Sequence, residues 1–324
     1  MFASHSQRII GITKKGKDFF KLTSSLTETI QSIAVEDTRI WTGCEHIYNL
    51  FDNGKDAAYY VARGQINELL VSHLTRENDF DAILACQDKY IRIIHGSQLY
   101  VEIPINNPVT ALAQLELDDN VTSMASRPRY LLYGTTKGEV GLVQLSTNGT
   151  YEILWEVADE EHKSEVTCLA SCDVNRDGVS EVIVGRHDGR VEVFKLQPEN
   201  ILLPPSRIFV RDLGQSIRSL CCGVVNTPEY VEIIVAAYNG KIVSFTTEPV
   251  RARAAEDTYG RSIQTVNNEN RIRFLKKEVE DLKKKVEKER EKVKKLNLPA
   301  NLGTCMGMEY VYGVCYTGVY ILCM

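Results

Sequence analysis

Three glycines recur at a constant interval along the chain: Gly138, Gly189 and Gly240 are each 51 residues apart. Each closes a short polar turn between two runs of mostly β-branched residues, as between Ile183–Gly185 and Val191–Phe194. A period near fifty residues that contains several short strands is typical of blade repeats, which bury their apolar faces by stacking on their neighbours. This period constrains the fold more than any other feature of the sequence.

Each repeat contains three clear segments of alternating polarity and a weaker fourth. The clearest unit predicts strands at Glu165–Ala170, Glu181–Gly185, Arg190–Leu196 and Arg207–Arg211. Four antiparallel strands per unit make the blade of a β-propeller. We therefore predict a mainly β protein, a partial propeller with about five four-stranded, WD40-like blades in residues 6–250.

Both ends of this region are incomplete in sequence. Arg8–Thr13 and Lys17–Leu22 resemble the outer strands of a blade whose inner strands are absent, and the last unit has no fourth strand after Thr246. We expect the chain to begin inside the propeller. An open arc of blades would leave an unpaired strand edge and an exposed apolar face, and both are costly.

The pattern changes after Val250. Residues 251–270 are polar and predict a linker, whereas residues 271–298 carry Val or Ile alternating with Leu in an a/d heptad register that favours a two-stranded coiled coil. The predicted seam consists of Ile272, Leu275, Val279, Leu282, Val286, Val293 and Leu296. A solitary surface helix is the alternative, but so narrow a stripe has nothing to pack against without a partner helix.

Charge and composition restrict the classes of function. The net charge of −5 and the pI near 5.8 argue against a nucleic-acid-binding surface. The basic residues of the predicted helix alternate with acidic ones, which indicates solvated flanks of a coiled coil. Nine cysteines are scattered without framework spacing, so in a reducing compartment we expect them to be buried small hydrophobic residues, and no zinc site is predicted. Residues 299–324 are expected to form an irregular tail, a non-native or alternative end of the chain.

One segment carries oxygen ligands at alternate positions. Asp173, Asn175, Asp177 and Glu181 surround Gly178 in a nine-residue loop that could hold calcium. Asp and Asn also stabilise turns without any ion, and we favour that interpretation. No cofactor is predicted.

The sequence does not predict an enzyme. His46, His95 and His187 have no metal-ligand spacing and no Ser/His/Asp order. A propeller enzyme would repeat an acid or a histidine at one position of several blades, but the residues beside the repeat glycines are Lys137, Asp188 and Asn239.

Several segments together resemble a known family. Ile9–Lys17, Leu84–Asp88, Asp173–Phe194 and Thr246–Val250 are similar to the seventh Bardet–Biedl syndrome protein family, whose members are BBSome subunits. The resemblance covers residues 6–296, and the chain departs from the family pattern at both ends.

The resemblance implies a seven-bladed propeller followed by a coiled coil, in a non-enzymatic subunit of a coat-like complex. That complex is recruited to membranes by a small GTPase and moves membrane proteins into and out of cilia. The implied partners are other BBSome subunits, above all subunit two through the coiled-coil seam, and the tails of membrane-protein cargo. The implied locations are the cytoplasm, the basal body, the centrosome and the periphery of the ciliary membrane. A calcium-dependent propeller, a propeller enzyme, or a vesicle-coat propeller outside cilia are the alternatives.

Overall fold

The structure, a computed structural model, describes residues 2–24, 27–76, 79–115, 129–158, 163–197, 200–248, 279–280 and 282–286. The β part is a propeller of six antiparallel sheets in chain order, four of them with four strands and two with three. The mainly β prediction is confirmed. The predicted number of about five blades is wrong, because the N-terminal strands form a sheet of their own.

The strands follow one another along the chain with antiparallel pairing inside each sheet. The first sheet contains β1 (Phe2–His5), β2 (Arg8–Ile12) and β3 (Asp18–Thr23). The second contains β4 (Ser32–Glu36), β5 (Arg39–Gly43), β6 (Ile47–Asp52) and β7 (Lys55–Val61). The third contains β8 (Ile66–Ser72), β9 (Asp81–Cys86), β10 (Tyr90–His95) and β11 (Gln98–Pro104).

The second half repeats this arrangement. The fourth sheet contains β12 (Val109–Leu115), β13 (Arg129–Thr135), β14 (Val140–Leu145) and β15 (Tyr151–Val157). The fifth contains β16 (Val166–Cys172), β17 (Glu181–Arg186), β18 (Arg190–Lys195) and β19 (Ser206–Asp212). The sixth contains β20 (Ile217–Gly223), β21 (Glu232–Ala237) and β22 (Ile242–Thr246).

Successive sheets pack face to face, and each interface has its own apolar core. Ile9 of the first sheet shares a core with Ile33 and Phe51 of the second. The remaining interfaces hold four further cores, one for each pair of successive sheets. Burial of apolar area at about 25 cal/mol per Å² makes these interfaces the main source of stability.

The second strand of a blade is therefore buried on both faces. Every residue of β9 and of β17 is buried. Along β17, Val184 packs in the core shared with the fourth sheet, and Ile183 packs in the core shared with the sixth. Because neighbouring residues of a strand point to opposite faces, one apolar run serves two interfaces.

The first strands of neighbouring blades also exchange polar contacts. Asn67 Nδ2 donates to the Val109 carbonyl oxygen at 2.7 Å, and Thr110 Oγ1 donates to the Val166 carbonyl oxygen at 2.6 Å. Such bonds satisfy carbonyl groups that would otherwise be buried without a partner.

The N-terminal sheet explains the error in the blade number. Sequence reasoning placed Arg8–Thr13 and Lys17–Leu22 in an incomplete blade, and they correspond to β2 and β3. The remaining strand of this sheet is β1, which the sequence did not predict. It pairs with β2 from Phe2↔Gly11 to His5↔Arg8. Its sequence, Phe-Ala-Ser-His, carries no alternating apolar signal, so pairing with β2 rather than local pattern forms the strand.

The repeat glycines occupy equivalent turns, and in the fourth and fifth sheets the next blade touches that turn. Gly138, Gly189 and Gly240 have φ values of 85°, 100° and 82°, in the left-handed region that disfavours side chains. A Cβ atom on Gly138 would lie 2.5 Å from the carbonyl oxygen of Ser164, and one on Gly189 would lie 2.7 Å from the backbone nitrogen of Gln215. A Cβ on Gly240 would meet no described atom within 4 Å.

Outside the propeller, residues 279–280 and 282–286 are helical. They belong to a second compact unit. The predicted helix over residues 271–298 thus lies mostly outside the described residues, as do the predicted linker and tail, and the coiled coil stays a prediction.

We predict that an alanine substitution destabilises the protein more at Gly189 than at Gly240. Gly189→Ala and Gly240→Ala both place a side chain at positive φ, which costs about 1 kcal/mol. Gly189→Ala also forces the turn away from the Gln215 backbone, so it should lower the thermal unfolding midpoint clearly more than Gly240→Ala. Equal shifts for both variants, measured by circular dichroism, would contradict the packing of this turn on the next blade.

Candidate protein-interaction surfaces

Buried carboxylates recur at the first residue of the second strand in three blades. Asp81 accepts backbone N–H groups of Leu74 at 3.0 Å and Thr75 at 2.5 Å. Glu181 accepts the Val174 N–H at 2.9 Å. In the sixth sheet Glu232 accepts the Asn226 N–H at 2.9 Å. These acids fasten the loop between the first two strands of a blade, so they are structural.

The sequence identifies Glu181 only as a possible ion ligand and does not identify Asp81 or Glu232. A signal was present, because Glu181 and Glu232 are separated by the same 51 residues as the glycines. Once the strands of each blade are aligned, an acid that recurs at the start of the second strand indicates a residue that holds the preceding loop.

The loop that could hold calcium satisfies its own oxygen atoms. The Asp173 carboxylate accepts backbone N–H groups of Asp177 at 3.1 Å and Gly178 at 2.8 Å. Lys195 Nζ lies 2.6 Å from Asp177 Oδ2, and Asn175 Nδ2 donates to Glu181 Oε1 at 2.8 Å. Within the described ranges no group of His, Cys, Asp or Glu is arranged to hold a metal ion. The loop stays a predicted turn, with calcium binding as the alternative.

The histidines singled out in the sequence lie in three different sheets. His95 Nε2 is 2.8 Å from Thr75 Oγ1 and 3.0 Å from Asp81 Oδ1, and its ring stacks on Tyr100. Burial lowers the pKa of His95, and the charge of Arg76 lowers it further. His46 and His187 are exposed in other blades. The structure brings none of the three together.

The exposed turns between the second and third strands of three blades contain Lys137, Asp188 and Asn239. They occupy equivalent places in three successive sheets, as the repeat predicts. Their side chains differ in charge and hydrogen-bonding capacity, so the position offers no common chemistry.

Glu68 is a carboxylate in the interface between the third and fourth sheets. It lies on β8, where its Oε2 accepts the backbone N–H of Leu112, on β12, at 2.5 Å. Burial raises the pKa of Glu68 to about 8, and the Leu112 hydrogen bond opposes that rise. Burial in this interface therefore favours the protonated form of Glu68.

The edge of the sixth sheet exposes apolar side chains. In the described part of the chain no fourth strand pairs with β22, and every residue of β19 beneath it is exposed. Phe209 on β19 is 39% exposed, whereas Trp155, its equivalent on β15, is 5% exposed. A cavity of about 160 Å³ opens here between Phe209, Ile233 and Phe245.

Three of the seven predicted seam residues are described. Val279, Leu282 and Val286 lie on helical residues, at intervals of three and four that place them on one helix face. Each is more than half exposed. The other four seam residues, Ile272, Leu275, Val293 and Leu296, lie outside the described residues.

The arrangement of blades matches that of a known family. A family model described as the BBS7 beta-propeller matches residues 1–247, about three quarters of the chain. The chain belongs to the BBS7 β-propeller family. This confirms the resemblance found in the sequence.

Relatives and solved structures agree with this assignment. The chain is similar to the BBSome complex member BBS7 of Mus musculus, with 31% identity over 87% of this chain and 38% of that protein. It is also similar to the BBSome complex member BBS2 of Danio rerio, with 19% identity over 71% of this chain and 28% of that protein. This member of the BBS7 β-propeller family thus spans less than two fifths of the length of these relatives.

Among solved structures, the propeller is similar in fold to BBS1N in a complex with ARL6DN. The TM-score is 0.54 at 12% identity, over 78% of this chain and 75% of the other. Across the described residues, no helix has the length and apolar character needed to cross a membrane.

Because the pKa of Glu68 is raised, we predict that the free energy of unfolding depends on pH. Glu68→Gln should remove this contribution. The folded protein holds a proton on Glu68 that the unfolded chain releases, so between about pH 4.5 and 8 stability falls as pH rises. The slope is at most about 1.4 kcal/mol per pH unit.

The free energy of urea unfolding across this pH range measures the effect. Wild type should lose stability relative to Glu68→Gln as pH rises, because the amide has no proton to release. Glu229→Gln, at an exposed position, should track wild type. Parallel curves for wild type and Glu68→Gln would show that Glu68 titrates normally.

Proposed function

We propose that this chain is a non-enzymatic scaffold subunit of the BBSome, a coat-like complex that carries membrane proteins into and out of the primary cilium. One observation carries the proposal: the BBS7 propeller model matches residues 1–247. The mouse relative, 31% identical, is named as a BBSome complex member. Because the chain spans only 38% of that relative, its role in the complex is inferred from the propeller region.

Contacts inside the blades support a binding role rather than catalysis. The buried acids Asp81, Glu181 and Glu232 are each used to hold a backbone loop. The three histidines lie in separate sheets. A propeller used as a scaffold needs stable blades and exposed loops, and this distribution of polar groups supplies both.

Pairing with subunit two is the second part of the proposal. The described seam residues Val279, Leu282 and Val286 share a helix face and are open to solvent. A stripe of β-branched residues and leucine at these intervals fits the a and d positions of a two-stranded coiled coil. The similarity of the chain to the BBSome complex member BBS2 of Danio rerio supports the choice of subunit two as the partner.

The remaining partners and the location follow from the same family membership. We propose contacts with other BBSome subunits and with cargo tails, in the cytoplasm, at the basal body and centrosome, and at the ciliary membrane through the complex. The crystal structure of BBS1N with ARL6DN is an example of a related propeller fold bound to a protein partner. A vesicle-coat propeller outside cilia would differ in the proteins that it captures.

Leu282→Asp tests the seam in the full chain. A carboxylate at a d position of the paired helices would be buried without a partner, so recovery of subunit two should fall at least about tenfold. The matched control is Lys284→Asp at the outward f position, which should leave recovery within about twofold of wild type. Tagged chains would be purified from ciliated cells, and the captured proteins would be quantified by mass spectrometry.

The outcomes separate the two parts of the proposal. Recovery of BBSome subunits with wild type but not with Leu282→Asp supports both the complex and the seam. Undiminished recovery with Leu282→Asp would remove the seam and keep the complex. Capture of unrelated coat proteins by wild type would overturn the BBSome assignment.

A further inference from the structure

Two cysteines face each other across the interface between the fifth and sixth sheets. Cys172 is the last residue of β16, where it pairs with Glu181, and Cys222 lies near the end of β20, where it pairs with Ile233. Directly paired residues of antiparallel strands project to the same side of their sheet. Both cysteines pack against the core that the fifth and sixth sheets share. The two thiols thus approach one interface from opposite sides.

The two thiols are also in direct contact. The thiol of Cys222 donates a hydrogen bond to the sulfur of Cys172, and this bond lowers the pKa of Cys172. Burial opposes that shift, as do the charges of Asp173 and Glu181. The same hydrogen bond, together with burial, raises the pKa of Cys222. The arrangement therefore favours a thiolate on Cys172, which is the form that reacts with oxidants.

The pair lies where solvent reaches the interface. Cys172 and Cys222 are only partly buried, whereas Cys44 and Cys86, elsewhere in the propeller, are fully buried. Val224, just after the end of β20, is 53% exposed. The expectation of buried, small hydrophobic cysteines thus describes Cys44 and Cys86 but not this pair. An accessible cysteine of lowered pKa with a second thiol beside it is typical of redox-sensing sites.

We propose that hydrogen peroxide oxidises Cys172 and Cys222 to a reversible disulfide that joins the fifth sheet to the sixth. The Cys172 thiolate attacks one peroxide oxygen, the O–O bond breaks, and a sulfenic acid forms while the released hydroxide takes up a proton to become water. The sulfur of Cys222 then attacks the sulfenic sulfur, and the S–O bond breaks. The oxygen leaves with the Cys222 proton as a second water. Two thiols are thus oxidised by two electrons, and one peroxide is reduced to two waters.

The disulfide would secure a sheet that has a single described neighbour. Among the described residues, the sixth sheet shares an apolar core with the fifth sheet alone, whereas each interior sheet shares cores with two neighbours. The two cysteines are 50 positions apart, so the bond closes a long loop and restricts the unfolded chain. In a reducing compartment such a bond is transient, because thiol–disulfide exchange with cellular thiols reverses it.

Peptide mapping of the full chain by mass spectrometry tests the proposal. The reduced protein is treated with hydrogen peroxide, its remaining thiols are blocked with N-ethylmaleimide, and it is digested with trypsin without reductant. Trypsin releases Cys172 within residues 164–176 and Cys222 within residues 219–241. A linked pair of these peptides should appear after peroxide treatment, and dithiothreitol should remove it. Failure of the linked pair to form would overturn the proposal.

Two serine variants assign the bond, because residues 219–241 contain two cysteines. Cys222→Ser should abolish the linked peptides. Cys221→Ser, at the adjacent exposed cysteine on the other side of β20, is the matched control and should leave their yield unchanged. Linked peptides that survive Cys222→Ser, or that disappear in Cys221→Ser, would contradict the assignment. Linked peptides found only in a dimer on a non-reducing gel would also overturn it, because they would join two copies of the chain.

Thermal unfolding gives a second readout that does not depend on the packing of a serine at position 222. Peroxide should raise the unfolding midpoint of wild type by at least about 4 °C, because the bond closes a loop of 50 residues. Dithiothreitol should restore the original midpoint. Cys172→Ser lacks one of the two thiols, so peroxide should leave its midpoint unchanged. An equal rise in both proteins, or no rise in wild type, would count against the link.

Discussion

The structure depends on the stacking of sheets that are apolar on both faces. Adjacent residues of β17 such as Ile183 and Val184 contribute to different interfaces, so neither core can form unless the sheets on both sides are in place. Polar contacts also join neighbouring blades. The Arg186 guanidinium donates to the carbonyl oxygen of Gly138 at 2.9 Å and pairs with Glu192 at 2.6 Å, which joins the turn of one blade to the interior of the next. Stability is therefore a property of neighbouring pairs of blades.

This constraint also decides where the molecule can interact. Interior blades have no free face, and their buried acids are committed to loops, so partners must meet outer strands, loops or the end of the row of sheets. The end of the row at the sixth sheet concentrates these possibilities: among the described residues no strand pairs with the outer edge of β22, Ile242 is exposed, and Phe209 of the neighbouring fifth sheet is exposed beside it. The exposed stripe of Val279, Leu282 and Val286 is a further surface in the second unit.

Much of the fold could be predicted from the sequence, because glycine turns and apolar runs repeat at a constant interval. The strands of the fifth sheet agree with the prediction to within about two residues at each end. β1 could not be predicted, because Ala3 and Ser4 carry no strand pattern and the pairing with β2 decides. The structural acids were visible in the sequence only as Glu181, since their role depends on which loop amides come within hydrogen-bonding distance. The seam residues remain a prediction from heptad spacing alone.

A double-mutant cycle tests the stacking of sheets most directly. Ile183→Ala and Val235→Ala lie 52 residues apart but share one core, so their effects on the free energy of unfolding should be coupled by about 0.5 kcal/mol or more. Val184→Ala and Val235→Ala lie on different interfaces and should be additive within roughly 0.3–0.5 kcal/mol. Additive effects for Ile183 and Val235, with strong coupling of Val184 to Val235, would contradict the account.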